Sequence, residues 1–560
     1  MSVGQARPLR WLIVAPYCAP PTGRFALASG ERFKTLMTKL GPKATVPVPE
    51  GLGEACRGQL TLGFDRPKDF RLDEVVGRIE VLGQMITLAK ELENGSKVDT
   101  VITKLSSMLG QGPLLQAIER IANGEPAEPP PAAAAEAPAT PAGDTTPSAT
   151  TPSPATDDGD APKGGGVSID AIFDKADVAE PAPPKAAEVA KSSIDAFIGA
   201  MRKSSGTRAT KAVAAGSVAR ELAKFLRSAA QSTAVQLMNT PPIRAMETSW
   251  RGLRMVISSS PGADDLAIEM LDADDTQLQS LLEMRLDVAP LDRPDAIFVG
   301  VPIDSVTTLA TLAQLAAKAS VPIVTEAPAE LTGVSLDDPT SLPPIPEAWA
   351  QLRARPETAW LCVTTNPVVL ANEEIGEHQR TVFGSSALAV AAMISASVGQ
   401  TGGPGQIFGR AGALVGPASY RSGTGQRAVF LSTAQLATVD QQRALGRRGV
   451  LTLSCERGSD RLRLAAAPTV HAKEDDLTLP GRILAGRAAR FARAVRDELP
   501  PHATEREVAA RLAQLSGSFL PRSDGAVALE IRTDANGKVG VDASIGATLA
   551  GAAFKFSSDL

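Results

Sequence analysis

Between Gly124 and Gly166 the chain is written in Pro, Ala, Thr, Ser and Gly, with no aromatic residue and no Val, Ile or Leu. A segment of that composition cannot bury enough apolar surface to offset the entropy of ordering it. Its acidic residues (Glu125, Glu128, Glu136, Asp144, Asp157, Asp158, Asp160) face a single base, Lys163, so it also repels itself and extends. The expectation is a disordered linker over 124–190 between two separate objects, 1–123 and 191–560. A flexible chain of roughly 70 residues has an r.m.s. reach of about 45 Å. That reach lets the first part pair with its own second part or with a neighbour's.

Composition narrows the function classes. An apolar fraction of 43% supports sizeable cores on both sides of the linker. A net charge of −5 without a basic block gives no footprint for nucleic acid. Cys18, Cys56, Cys362 and Cys455 lie far apart with no C-x-x-C pair, which argues against a zinc site and a disulfide framework. The apolar run Trp11–Pro16 is too short for a signal peptide, and Ala387–Val398 is too short to span a bilayer. The chain is expected to be cytoplasmic, without membrane insertion.

In the first part, Arg10–Ala15 (RWLIVA) reads as a buried strand and Leu60, Leu62 and Phe64 as a second. Val75, Ile79, Leu82, Ile86 and Ala89 repeat at helical spacing and predict one helix from Asp73 to Leu92, with Asp73 and Glu74 in its favoured first turn. A further helix is expected over Ile102–Ile121. After the linker, Val218–Met238 reads as helix, Ala267–Leu271, Asp295–Gly300 and Val321–Glu326 as strands, Val306–Ser320 as helix and Leu479–Leu499 as a late helix. This alternation predicts an α/β (α+β) protein: a small α+β unit, then a larger α/β region with a partly parallel sheet.

Two segments carry a family resemblance. Leu62, Phe64, Asp69, Phe70, Asp73 and Val76 set a strand, an acidic-Phe turn and a helix in the order that resembles the small sheath subunit of type VI secretion systems. Met246-Glu247-Thr248-Ser249-Trp250-Arg251-Gly252-Leu253 is similar to the Leu-Glu-x-x-Trp-Arg-Gly-Leu pattern of the large sheath subunit, with Met for Leu. Trp349, Leu352, Arg353 and Trp360 continue the likeness, as does the Arg-Phe face of the late helix (Arg487, Arg490, Phe491, Arg493). Departures stand at Thr365–Val369, where the family has Pro-Arg-Phe-Leu, and at Phe383-Gly384-Ser385, where it has Trp-Gly-Asn. The resemblance implies a fusion of the two subunits. Its structural anchors would be Trp250, Arg251, Gly252, Phe64 and Phe70. Trp250 is equally readable as a core aromatic at a helix end.

The chain's last part reads as a hairpin without any family. Val527, Leu529 and Ile531 alternate on one strand, Asn536-Gly537 supplies a turn, and Val539, Val541, Ala543 and Ile545 alternate on the return. Phe554 and Phe556 flank Lys555 in a last extended segment. An edge strand offers unpaired backbone groups to another chain. The resemblance implies that terminal strands are exchanged between subunits, so the candidates are Leu12, Val14, Val527, Leu529, Ile531, Val539, Val541, Phe554 and Phe556.

Beside the linker, Ser168–Phe173 (SIDAIF) recurs as Ser193–Ile198 (SIDAFI). Each copy makes one apolar stripe over a single turn, which is unstable alone and needs a docking surface. The second copy also reads as the start of the next folded part. The resemblance implies recognition of that copy by a AAA+ unfoldase through Ile194, Phe197 and Ile198.

Catalytic patterns are weak. His378, His471 and His502 are the only histidines, and Glu374 stands where an H-x-x-E-H site would need histidine. Gly402–Gly409 (GGPGQIFG) fails G-x-G-x-x-G at Phe408, and the carboxylate pairs Asp264/Asp265 and Glu373/Glu374 read as solvated loops or helix starts. No enzymatic activity, metal or cofactor is expected. The resemblance implies a structural sheath subunit forming a helical homo-oligomer around an inner tube protein and joined to baseplate components. The alternative is a non-polymerising, sheath-derived adaptor that binds partners through its linker motifs.

Overall fold

The computed structural model describes residues 7–29, 33–49, 52–53, 58–123, 207–338, 343–423, 428–472, 478–500, 503–519, 527–533 and 539–559. In chain order the strands are β1 (Leu9–Ala15), β2 (Phe25–Leu27), β3 (Lys43–Pro47), β4 (Gln59–Gly63), β5 (Leu266–Asp272), β6 (Ala296–Val299), β7 (Ile323–Glu326), β8 (Leu361–Thr365), β9 (Val368–Ile375), β10 (His378–Gly384), β11 (Leu414–Val415), β12 (Tyr420–Ser422), β13 (Val429–Leu431), β14 (Val450–Cys455), β15 (Arg461–Leu464), β16 (Val527–Thr533), β17 (Val539–Ile545) and β18 (Phe554–Asp559). The helices are α1 (Phe33–Leu40), α2 (Leu72–Arg78), α3 (Glu80–Glu93), α4 (Val98–Leu109), α5 (Pro113–Ala122), α6 (Thr207–Met238), α7 (Pro241–Ser258), α8 (Asp275–Leu286), α9 (Val306–Ala319), α10 (Glu347–Arg353), α11 (Ser386–Thr401), α12 (Val439–Arg447), α13 (Leu479–Glu498), α14 (Glu505–Phe519) and the short α15 (Ala547–Ala550). The chain is a mixed α/β protein.

Nine strands form one sheet in the order β11-β15-β14-β8-β7-β6-β1-β5-β2. The block from β14 to β5 is parallel, and β15, β11 and β2 close its edges antiparallel. The RWLIVA run is therefore a central strand. It pairs with β5 (Leu9 opposite Leu266, Ala15 opposite Asp272) and with β6 (Trp11 opposite Ala296), both of which follow the Pro/Ala-rich stretch. Its side chains alternate between faces as a strand requires: Trp11, Ile13 and Ala15 enter one core, Leu12 and Val14 the other. The expectation of two separate objects is corrected here, because a strand buried on both faces and bonded on both edges belongs to the sheet that holds it. The second tie is α6, which packs on α2, α3 and α5, with Arg227 paired to Glu93.

Two helices expected as continuous are each broken. The Asp73–Leu92 stripe is α2 and α3, separated at Ile79, whose backbone is extended (φ −87°, ψ 110°). The apolar period survives the break because both segments bury against α6. Ile102–Ile121 is α4 and α5. Gly110 ends the first at φ 67°, Pro113 begins the second, and a Cβ on Gly112 would lie 2.7 Å from the Gly53 Cα. The run Ala387–Val398 lies in α11, buried from Ser386 to Ser395 between α7 and strands β6–β8. Among the described residues no helix is long and apolar enough to cross a membrane.

Candidate functional site

The Met246–Leu253 cluster sits in the middle of α7, not at a helix end, and each of its distinctive residues is used. Trp250 is buried, donates Nε1 to the Tyr17 carbonyl at 2.9 Å and meets Tyr17 and Phe33 edge-on at 5.2 and 5.6 Å. Glu247 is fully buried and is satisfied by Arg251 Nε (2.7 Å) and Arg380 Nη2 (2.5 Å). Arg251 also reaches Glu373 at 2.6 Å, so Glu373 lies in strand β9 within an ion-pair network, not in a solvated loop or helix start. A Cβ on Gly252 would come within 2.6 Å of Leu388 Cδ1, which brings α7 and α11 into close contact. These residues lock α7 to the N-terminal segment, the β9–β10 hairpin and α11. In the first part, Phe64 and Phe70 stack at 4.4 Å, both buried. Asp69 between them accepts the backbone N–H groups of Asp65 and Arg66 and the Arg66 guanidinium, which fixes the acidic-Phe turn.

One surface whose strand edges are unpaired among the described residues lies at the other end of the sequence. β16, β17 and β18 form an antiparallel sheet with β17 in the middle. The last extended segment thus adds a third strand to the expected hairpin. Among the described residues the outer edges of β16 and β18 have no strand partner. Val541 and Ala543 are buried, and Val527, Leu529 and Ile531 pack partly on the same cluster against α13 and α14. Arg532 and Asp542 pair across the solvent face at 3.5 Å. An open groove lined by Thr504, Arg506, Ala509, Leu529 and Ile531 runs beside the β16 edge.

The sheet is held on the α/β core at two places. At one, a Cβ on Gly405 would lie 2.2 Å from the Gly551 nitrogen, and a Cβ on Gly403 would lie 2.7 Å from the Leu549 carbonyl oxygen. The glycine-rich loop, which fails the dinucleotide pattern at Phe408, is the seat for the α15 turn. At the other, Asp295 receives Arg487 Nη1 and Arg490 Nη2, each at 2.5 Å, and the Arg10 N–H at 3.0 Å. Arg487 also donates to the Arg7 and Pro8 carbonyls, and Arg490 to that of Ser320. Burial pushes Arg490 down to about 10, with Asp295 opposing.

The strand-exchange candidates separate on this geometry. Leu12 and Val14 are corrected: β1 has a neighbour on each side within its own chain and presents no edge. Val539 and Val541 lie in the inner strand β17. Val527, Leu529 and Ile531 on β16, and Phe554 and Phe556 on β18, lie on outer strands. Ile194, Phe197 and Ile198 lie outside the described residues, as do both peptide copies and the 124–190 stretch.

The two described histidines are occupied within the fold. His378 Nε2 lies 3.1 Å from the Ser228 carbonyl oxygen, and His471 Nδ1 lies 3.2 Å from those of Arg353 and Arg355. Burial and the nearby Asp272 carboxylate push the Cys18 thiol up to about 12, and burial does the same to Cys362. Both are poor nucleophiles. Among the described residues no group of three His, Cys, Asp or Glu side chains could hold a metal ion. In the sequence Asn366 stands out only as a departure from the family pattern. It sits at φ 72° and bonds Gln435 and Leu453, tying β8 to the segments beside it.

No family model and no curated protein matches the chain. Among solved structures it is similar to a chain of the anti-feeding prophage baseplate, at 13% identity and a TM-score of 0.33 over 56% of this chain and 81% of that one. It is similar to the helical sheath of the same prophage in its contracted state, at 13% and 0.33 over 57% and 81%. It is also similar to the PVC sheath complex of an extracellular contractile injection system, likewise contracted, at 12% and 0.32 over 55% and 75%.

Proposed function

We propose that the chain is a structural subunit of a contractile sheath of the type VI secretion kind, with the counterparts of the small and large subunits fused in one polypeptide. The observation that carries this reading is the C-terminal sheet: two outer strands whose far edges have no strand partner among the described residues, seated by glycine contacts and a buried Asp–Arg cluster on a rigid α/β core. Open edges join copies by strand addition, and a rigid core passes a subunit rotation on without deforming. The Met246–Leu253 cluster, used throughout for packing, supports a mechanical role. In this reading the sheath assembles in the cytoplasm around an inner tube, meets baseplate components at one end and contracts by rigid-body rearrangement without an enzymatic step. A AAA+ unfoldase would recycle it through Ile194, Phe197 and Ile198. The test is negative-stain microscopy of the purified full chain, where long tubes are expected. A field of monomers across concentration and salt would overturn the reading and favour the adaptor.

A further inference from the structure

Three guanidinium groups converge on the C-terminal end of α9. Arg293 donates Nη1 to the Ala319 carbonyl and Nε to that of Val288, both at 3.2 Å. Arg490 donates to the Ser320 carbonyl at 2.5 Å, and Arg493 Nη1 to the Ser320 hydroxyl at 3.3 Å. A helix C-terminus carries roughly half a negative charge, which offsets only about half of one cation in its last turn. Asp295 neutralises one more of the group that includes Arg487 and Arg490. Arg293 and Arg493 are left over. Among the described residues neither has a carboxylate within ion-pair distance, and Asp287 acts on Arg293 only through its field. Burial and the neighbouring Arg493 push Arg293 below its ordinary value.

Each of the two arginines engages only part of its five-donor fork. Arg293 Nη2 and Arg493 Nε and Nη2 make no hydrogen bond among the described residues, although both side chains are half-buried. Two such cations held together repel each other, and a bridging oxyanion reverses the sign of that interaction. We propose that Arg293 and Arg493, with the Ser320 hydroxyl, form a binding site for an oxyanion of the phosphate or carboxylate type. The seam it closes joins the short 3-10 turn Pro290–Asp292 before β6, the end of α9 and α13, the helix that carries the C-terminal sheet. Occupancy of the site therefore fastens that sheet to the core.

The anion has two sources, a free oxyanion in solution or a carboxylate on a second copy of the chain. The test is thermal unfolding of the full chain in chloride and in inorganic phosphate at matched ionic strength. A saturable rise of about 2 °C or more in Tm is expected with phosphate. It should be lost in Arg293→Gln and Arg493→Gln and kept in Arg443→Gln, a remote exposed control. A rise independent of protein concentration identifies the free anion. A Tm that climbs with protein concentration in chloride, with phosphate removing that dependence, identifies the second copy. Equal phosphate shifts in the wild type and the Arg293→Gln/Arg493→Gln double variant would overturn the site. Should those variants fail to fold, the phosphorus-31 line width of phosphate with the wild-type chain decides: broadening relieved by excess sulfate supports the site, and no broadening up to tens of millimolar removes it.

Discussion

Asp295→Asn isolates the contact that carries the C-terminal sheet. The carboxylate is about 1% exposed and is shared by two guanidinium groups that are themselves buried, Arg487 and Arg490. Asparagine keeps the shape but removes the charge. Its amide also turns at least one N–H toward a donor, because both carboxylate oxygens are accepting: Oδ1 from Arg490, Oδ2 from Arg487 and the Arg10 N–H. Removing one member of a buried ion pair typically costs about 3–5 kcal/mol, most of it from the charge left unpaired. With two arginines stranded, the upper half of that range is expected, against a total stability on the order of 5–15 kcal/mol. The assay is guanidinium chloride unfolding followed by tryptophan fluorescence. A triple variant, Asp295→Leu with Arg487→Met and Arg490→Met, separates charge from packing. It removes all three ions together but leaves the carbonyls of Arg7, Pro8 and Ser320 short of donors and the Arg10 N–H short of an acceptor, at about 1–3 kcal/mol each if water cannot reach them. Those four groups together cost about as much as the stranded charges or more, so the triple variant should be no more stable than Asp295→Asn. A loss below about 1 kcal/mol for Asp295→Asn, or a triple variant clearly more stable than the single one, would refute the reasoning.

Two further outcomes follow from the same geometry. Glu326, the last residue of β7, buries its carboxyl against the start of α11, where burial raises its pKa while the N–H and hydroxyl of Ser386 and the Ser385 hydroxyl oppose. A carboxyl raised in the folded state gives stability that is full below its ordinary value near 4.5 and is lost as pH climbs through the folded value. Glu326→Gln should thus raise Tm at pH 7 and flatten the fall in Tm between acid and neutral pH; an unchanged pH profile would exclude Glu326 as its source. A chain divided within 124–206 should yield two fragments that co-purify only when expressed together, with the N-terminal fragment insoluble alone because Trp11, Ile13, Leu12 and Val14 lose both cores. Soluble, independently folded fragments would show that the shared sheet is dispensable.

Local chemistry was readable along this chain, and long-range pairing was not. RWLIVA could only be a buried strand, yet nothing within it names β5 and β6 as neighbours, since parallel pairing is set by the whole topology. The Pro/Ala-rich composition of 124–166 suggests a boundary between folds, but composition reports whether a segment can fold, not whether its flanks share a core. The α2–α3 break at Ile79 was hidden because the helical period continues through it, while the break at Gly110-Gln111-Gly112-Pro113 was written in residues that end and start helices. The Arg-Phe face of α13 was visible, but not Asp295, a lone acidic residue before a strand that could as well have been solvated. The glycine-rich loop shows the same asymmetry. Gly403 and Gly405 leave room for a close approach without naming what approaches; it is the backbone at Leu549–Gly551, which lies too far along the sequence for any local pattern to reveal. The residues that fasten the C-terminal sheet are thus legible one at a time as glycine, arginine or aspartate. Their function as a clamp exists only in the pairing. Substitutions at Gly405, Gly551 and Asp295 should consequently act as one group, each loosening the same sheet from the same core, although no window of the sequence contains two of the three.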